Sequence, residues 1–144
     1  MTIDPDQSAD RFVKAVMGKK ALFPVVLNVR DLSSVADTFI ICSGRSNRQV
    51  RAIAEHVLEE MKKQGIKPLS FEGLEEGHWV LMDYGDVIIH IFYEPVRSFY
   101  DLEGLWADAK RITTESMKNM SINNDTDNEQ SNSGGEYDDD SETL

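Results

Sequence analysis

A strand that is apolar on both faces constrains the fold of this chain most. Residues 38–42 read TFIIC, without polar alternation. Such a strand is typical of a sheet covered by helices on one or both sides. A helix follows, because Ser46 and Gln49 form a capping-box pattern and Gly65 suits the helix end. Its apolar stripe repeats at helical spacing: Val50, Ile53, Ala54, Val57, Leu58 and Met61. This strand and the helix that follows it predict an α/β domain.

The other segments complete the order α-β-β-α-β-β-β-α. An amphipathic helix covers residues 9–17, and strands are expected at 25–29 and, as a weak edge strand, at 68–72. Two apolar runs around Tyr84 and Gly85 predict a hairpin. Ser98 is expected to cap a last helix whose buried face comprises Phe99, Leu102, Leu105, Trp106 and Ala109. The hairpin is antiparallel, whereas the strand–helix–strand segment favours a parallel crossover, so the sheet should be mixed.

The hairpin register sorts its residues into two faces. With Tyr84 and Gly85 as the loop, Asp83 faces Asp86 and Trp79 faces His90. His90 is then expected to be a semi-buried neighbour of Trp79 rather than a base. The expected core residues are Val80, Met82, Val87, Ile89 and Ile91, and those expected to point outward are Asp83, Asp86, Tyr100 and Glu103.

Acidic charge is concentrated at the C-terminal end. Residues 113–144 hold nine acidic residues and one lysine, so −8 of the net charge of −11 lies there. This segment is polar and almost free of aliphatic side chains, which predicts disorder. The sequence therefore divides into a folded domain over residues 1–112 and a disordered acidic tail over residues 113–144.

Composition also limits the compartment and the partners. A single cysteine, Cys42, excludes an internal disulfide framework, and no apolar run approaches the roughly 20 residues that span a bilayer. The polar, acidic N-terminus does not resemble a secretory signal. We therefore expect a cytoplasmic protein without membrane contact. Since the domain lacks a basic excess, sequence-specific nucleic-acid binding is not expected, whereas a cationic protein partner fits.

No catalytic constellation is visible in the sequence. Asp83 and Asp86 lack the i, i+2 spacing with which a strand presents two metal-binding carboxylates on one face. The histidines have no metal-ligand spacing with Cys42. Gly44 and Ser46 at a strand-to-helix turn could hold a phosphate, although their roles as a turn glycine and a helix cap explain them without a ligand, and this second explanation is favoured. No metal, no cofactor and no catalytic residue is predicted. A nucleotide- or phosphate-binding enzyme that uses the Gly44 turn is the alternative.

Aromatic residues cluster in residues 79–106. Trp and Tyr dominate the anchors of protein interfaces, so this segment is the candidate contact surface. Phe99 and Trp106 match the stripe of the last helix and are expected in the core, whereas Trp79 and Tyr100 are the better candidates for exposure.

Three segments together resemble the ribosomal silencing factor, or Iojap-related, family. They are ADTFIICSGRSNRQVRAIAEHV, WVLMDYGDVIIHIF and RSFYDLEGLW, in family order and spacing over about residues 8–110. Tyr84 departs from the family, which often has Leu there. The resemblance implies a nucleotidyltransferase-like fold without catalytic acids.

The resemblance also implies a function. It implies binding to the intersubunit face of the large ribosomal subunit, through large-subunit ribosomal protein fourteen, so that joining of the small subunit is blocked and translation is repressed. It further implies that the chain could form a homodimer. The positions that match the motifs, and that we expect in or near the interface, are Trp79, Asp83, Tyr84, Asp86, Arg97, Tyr100, Glu103 and Trp106.

Overall fold

The computed structural model describes residues 5–118, with side chains from Ser8 onward. The helices are α1 (Pro5–Met17), α2 (Asn47–Lys63), α3 (Glu94–Tyr100) and α4 (Leu102–Leu105), and residues 115–118 are also helical. The strands are β1 (Leu22–Asn28), β2 (Thr38–Gly44), β3 (Ser70–Glu72), β4 (Trp79–Asp83), β5 (Val87–Tyr93) and β6 (Lys110–Ile112). Most of the predicted disordered tail lies outside the described residues.

One mixed sheet organises the domain, in the strand order β3-β4-β5-β2-β1-β6. β2 and β5 are parallel, and the other neighbouring strands are antiparallel. The predicted mixed α/β sheet flanked by helices is therefore confirmed, as is the position of β3 at an edge. β2 lies near the centre, and all seven of its residues are buried. This burial explains why its sequence has no polar alternation.

Each face of the sheet has its own core. On the first face, Ile40, Ile89 and Met82 pack beneath α1 and α2. On the second face, Phe39, Ile41 and Phe92 pack with the segment of α3 and α4. The residues expected in the hairpin core, Val80, Met82, Val87, Ile89 and Ile91, are all buried on the first face.

The N-terminus of α2 uses the predicted cap. The Gln49 backbone N–H donates to Ser46 Oγ at 3.1 Å. The Gln49 side chain differs from a standard capping box, since its Oε1 accepts from the Arg45 N–H at 2.6 Å. Its Nε2 donates to the carbonyl oxygens of Lys19 and Lys20 at 3.2 and 3.1 Å. One side chain thus connects the start of α2 to the turn after α1.

The expected hairpin register is wrong by two residues. Asp83 pairs with Ile88 and Trp79 pairs with Phe92, so the loop residues are Gly85 and Asp86. Gly85 has φ +92°, a conformation that glycine adopts without a steric penalty and that hairpin turns require. A shift of two residues keeps every side chain on its expected face, which is why the core prediction is still correct.

The predicted last helix is also wrong. α3 starts at Glu94, directly after β5, and Asp101 then interrupts the helix with φ 48° and ψ 52°. The short α4 follows, and residues 110–112 form a sixth strand beside β1. Beyond β6 the chain continues against α1, where the Ser116 N–H and hydroxyl donate to the Asp10 carboxylate, each at 2.9 Å.

Candidate partner-binding surface

A chain of aromatic rings crosses the second face of the sheet. Neighbouring rings lie 5.0–6.0 Å apart between centroids, within the range of favourable aromatic contacts. We call this set the aromatic row. In spatial order it consists of Phe99, Tyr100, Trp79, His90, Phe39 and Trp106. The aromatic row connects α3 and α4 to β4, β5 and β2.

Trp79 is the centre of the aromatic row. Its ring lies 4.8 Å from Phe92 and 5.0 Å from Tyr100. Its indole Nε1–H donates to His90 Nδ1 at 3.1 Å. Burial lowers the pKa of His90 to about 4, so the imidazole is neutral at physiological pH and its Nδ1 is free to accept this bond. His90 therefore orients Trp79; it was expected to be semi-buried, and the structure buries it.

Arg97 and Glu103 join α3 to α4. Arg97 Nε and Nη2 donate to the two Glu103 carboxylate oxygens at 3.1 and 2.8 Å, and Arg97 Nη1 donates to Ser43 Oγ at 2.9 Å. Hydrogen bonding from Arg97 lowers the pKa of Glu103. The Arg97 side chain is only 8% exposed and that of Glu103 20%. Glu103 was expected to point outward, but in the structure its carboxylate binds Arg97. This mostly buried pair fixes the position of α4 relative to α3.

The break at Asp101 turns several apolar side chains toward solvent. Phe99 is 79% exposed, Leu105 is 77% exposed and Tyr100 is 51% exposed. We call these three residues the apolar patch. The prediction that Phe99 lies in the core is wrong, because a single continuous helix would have placed it on the buried face. Trp106 remains half-buried against Phe39, and the expected exposure of Tyr100 is confirmed.

Sequence reasoning missed Phe99 and Leu105 as surface residues, although a signal was present. Asp101 precedes Leu-Glu-Gly, and an aspartate at this position is a common helix start. In the structure its carboxylate accepts from the Gly104 N–H at 3.3 Å. A second helix start at Asp101, instead of one at Ser98, would have indicated the break.

The hairpin tip is a separate region of the molecule. Asp86 is exposed in the loop, while Asp83 accepts from the Gly85 N–H at 2.8 Å. Tyr84 is half-buried, and its ring lies 4.8 Å from that of Phe12 in α1. Trp79 and Asp83 are at opposite ends of β4, about 13 Å apart by strand geometry. The eight motif residues therefore fall into two groups, one at the tip and one around the aromatic row.

The turn at Gly44 has a structural explanation. A Cβ on Gly44 would lie 3.0 Å from Val50 Cγ2 and 3.0 Å from the Val50 amide nitrogen, so a larger residue would require the start of α2 to shift slightly. Ser46 is occupied as the cap of α2. No group of three or more potential metal ligands is found among residues 5–118. No helix of this range is long and apolar enough to cross a membrane.

Comparison with known proteins identifies the family. The family model described as "Ribosomal silencing factor during starvation" matches residues 2–140. The chain belongs to this family. A ribosomal silencing factor of Halalkalibacterium halodurans is 44% identical over 105 residues, which cover 73% of this chain and 90% of the relative. The chloroplastic Iojap protein of Zea mays is 34% identical over 117 residues, covering 77% of this chain and 51% of that protein.

Solved structures agree with this assignment. A crystal structure of a protein from Chromobacterium violaceum matches with a TM-score of 0.70 and 34% identity, over 73% of this chain and 88% of that one. A crystal structure of a Bacillus halodurans protein matches with a TM-score of 0.66 and 40% identity, over 74% of this chain and 96% of that one. The family is named for a regulatory effect on ribosomes rather than for a reaction.

Proposed function

We propose that this chain binds the large ribosomal subunit in the cytoplasm and blocks its association with the small subunit, so that translation is repressed. The protein partner is large-subunit ribosomal protein fourteen on the intersubunit face. The observation that carries the proposal is the exposed apolar patch, Phe99, Tyr100 and Leu105, supported on the aromatic row. Membership of the ribosomal silencing factor family gives the class of partner.

The apolar patch has the properties of an interface anchor. Large aromatic side chains that become desolvated at the centre of an interface supply most of its binding energy. Phe99 and Tyr100 lie side by side, with ring centroids 5.0 Å apart. Both are exposed in the free protein, so a partner would gain hydrophobic free energy by covering the apolar area that is still accessible.

The surface is held in place before the partner arrives. Tyr100 packs on Trp79, and Trp79 is fixed by its hydrogen bond to His90. Arg97 and Glu103 hold α3 and α4 together below the apolar patch. A preorganised surface loses less conformational entropy on binding. Arg97 and Glu103 are therefore proposed as positioning residues, and Trp79, Tyr100 and Trp106 as contact residues.

Acidic side chains around this surface fit a cationic partner. Asp101 and Asp108 are exposed beside the apolar patch, and Asp86 is exposed at the hairpin tip. Complementary charge of this kind raises the association rate more than the affinity. We propose that Asp83 and Asp86 form an outer contact at the tip, and that Tyr84 supports this contact through its packing on Phe12.

Steric occlusion requires no chemistry from the protein. A factor that covers the intersubunit face needs only a surface that holds its partner, and the aromatic row with the apolar patch supplies one. A second copy of the chain could cover the same apolar patch. Self-association and ribosome binding would then be mutually exclusive.

A sucrose-gradient experiment tests the proposal. Purified subunits are mixed with the full chain, and the profile is compared with that of a Phe99→Ser/Leu105→Ser variant. The native chain should sediment with the large subunit and reduce the peak of joined ribosomes. The variant should lose both effects while it stays folded, since the two side chains are mostly exposed.

Phe71→Ser is the matched control, because Phe71 is an exposed apolar residue, 45% accessible, on the edge strand β3. It should bind large subunits as the native chain does. Unchanged binding of the Phe99→Ser/Leu105→Ser variant would contradict the assigned surface. Absence of the native chain from the large-subunit peak would contradict the function itself.

A further inference from the structure

A basic surface lies at the end of the sheet where β2 leads into α2. Lys19, Lys20, Arg45 and Arg48 are all exposed there. We call these four residues the basic patch. Gln49 brings its two halves together, since its side chain bonds to the Arg45 N–H and to the carbonyl oxygens of Lys19 and Lys20. The basic patch is therefore a built feature of the fold rather than a chance cluster of mobile side chains.

The segments that form the basic patch contain no acidic residue. Residues 11–30 and 38–54 together hold eight of the fifteen Lys and Arg residues and no Asp or Glu. Within the described range, no ion pair involves Lys19, Lys20 or Arg45. Lys20 has φ 61°, a left-handed conformation that is uncommon for a lysine. A concentrated positive charge thus persists in a chain with a net charge of −11.

The complementary charge is carried by the same chain. Residues 119–144, which follow the described range, contain eight acidic residues and no basic residue. Four of them, Asp138, Asp139, Asp140 and Glu142, fall within five positions. The rest of the chain is itself slightly acidic, so most of the surface would repel a free polyanion. The acidic segment is attached to the same chain, so its local concentration near the basic patch stays high.

The acidic segment starts within reach of the basic patch. Ser116 is held on Asp10 in the middle of α1 by two hydrogen bonds. From Asp10 to Met17 the helix rises about 10 Å, and Lys19 follows two residues later. An extended chain from Lys118 to Asp125, the first acid, spans roughly 23 Å. The later acids have a longer reach still.

We propose that the acidic segment of residues 119–144 binds intramolecularly to the basic patch. The contact is electrostatic and exchangeable, and it covers the cationic part of the surface. It involves none of the residues of the apolar patch, so it adds an interaction that the proposed ribosome contact does not use. Its consequence is that the basic patch is protected from other polyanions, such as RNA, at low ionic strength.

Paramagnetic broadening in the full chain tests this contact. A nitroxide attached to Ser141→Cys reports on nearby amides, while Cys42 stays unlabelled because it is fully buried. The amides of Gly18 and Gly44, which flank the basic patch, should lose most of their signal at low salt. They should recover it in about 1 M salt, where the Debye length falls to about 3 Å. Equal signals at both salt concentrations would overturn the proposal.

Matched charge variants complete the test. Lys19→Glu/Lys20→Glu/Arg45→Glu should abolish the broadening at Gly18 and Gly44. Lys62→Glu/Lys67→Glu/Lys110→Glu changes the net charge equally at exposed positions elsewhere and should preserve it. Broadening that survives Asp138→Asn/Asp139→Asn/Asp140→Asn unchanged would overturn the proposal. So would tight binding of homopolymeric RNA to the native chain together with an absence of broadening, because that result assigns the basic patch to nucleic acid.

Discussion

At the scale of residues, His90 shows how burial decides chemistry. A histidine inside an apolar strand suggests a base, yet here its Nδ1 accepts the Trp79 indole proton and its ring lies 5.2 Å from that of Phe39. Burial lowers its pKa to about 4, which favours the neutral form that Trp79 requires. His90 therefore acts by holding the Trp79 side chain in its orientation rather than by transferring a proton.

This lowered pKa makes stability depend on pH. The unfolded chain binds a proton on His90 near pH 6.5, whereas the folded chain binds it only near pH 4. The contribution of His90 is therefore complete above about pH 6.5 and is lost as the pH falls toward 4, to a total of about 3 kcal/mol. In urea unfolding, native protein should lose more stability between pH 7 and pH 4.5 than His90→Gln.

His78→Gln is the control for this comparison, since His78 is exposed. The unfolding free energy of this variant should change between pH 7 and pH 4.5 as that of the native chain does. A His90→Gln variant that loses as much stability as the native chain over the same pH range would contradict the assignment of a neutral, buried imidazole.

At the scale of elements, sequence periodicity predicted those helices and strands whose conformation depends mainly on their own residues. β2 and α2 were predicted from their residues because continuous apolarity and the 3.6-residue stripe each have one simple structural meaning. The α3–α4 segment was not, because its shape depends on Asp101 in a left-handed conformation and on the Arg97–Glu103 pair across the break. A helical stripe cannot reveal a turn that tertiary contacts stabilise.

The same reasoning applies to the aromatic row. Trp79 and Tyr100 were predicted to be exposed; Tyr100 is exposed, whereas Trp79 is only partly exposed because it packs against Phe92 and Tyr100. The exposure of Phe99 was missed, because the expected helix ran through Asp101. The hairpin loop was misplaced by one position because Tyr84 was assigned to it, whereas Gly85 and Asp86 together form a known two-residue hairpin signal.

Asp101 should therefore be sensitive to substitution. Asp101→Ala removes the bond from the Gly104 N–H and places a residue with a less favourable left-handed conformation at φ 48°. We expect a loss of about 2 kcal/mol of unfolding free energy, since each effect costs about 1 kcal/mol or more. Denaturant unfolding measures this loss.

Asp101→Asn is the conservative variant that keeps both features, because asparagine tolerates the left-handed conformation and its side-chain oxygen can still accept from the Gly104 N–H. It should retain most of the stability, while Asp108→Ala, at an exposed position nearby, should change it by less than about 0.5 kcal/mol. Equal stability of Asp101→Ala and the native chain would show that the break does not depend on this cap.

At the scale of the whole molecule, the sheet has two cores that share its central strands. β2 contributes Ile40 and Cys42 to the first face and Phe39 and Ile41 to the second. Neither core can be lost without exposing β2. We therefore expect the domain to unfold cooperatively, with the surface around the aromatic row as stable as the core beneath it.

Cys42 reports on this cooperativity. It is fully buried in β2, and burial raises the pKa of its thiol to about 12, so the thiolate that reacts with disulfide reagents is almost absent in the folded state. Labelling of Cys42 with a thiol reagent should require global unfolding. The labelling rate should therefore be higher in Asp101→Ala than in the native chain, because a less stable domain is unfolded more often. Rapid labelling of the native chain at neutral pH would contradict a single cooperative unit.

The parallel pairing of β2 with β5 also has a consequence for the order of events during synthesis. Thr38 lies beside Val87, so the centre of the sheet joins segments that are almost fifty residues apart in the chain. Until β5 has left the ribosome, β2 lacks one neighbouring strand, and His90 and Phe92, which support Trp79, are not yet in place. Non-local pairing of this kind forms late and slowly. We expect a nascent chain to form the surface around the aromatic row only after almost the whole domain has been translated, so the proposed contact with the ribosome would not be available before synthesis is nearly complete.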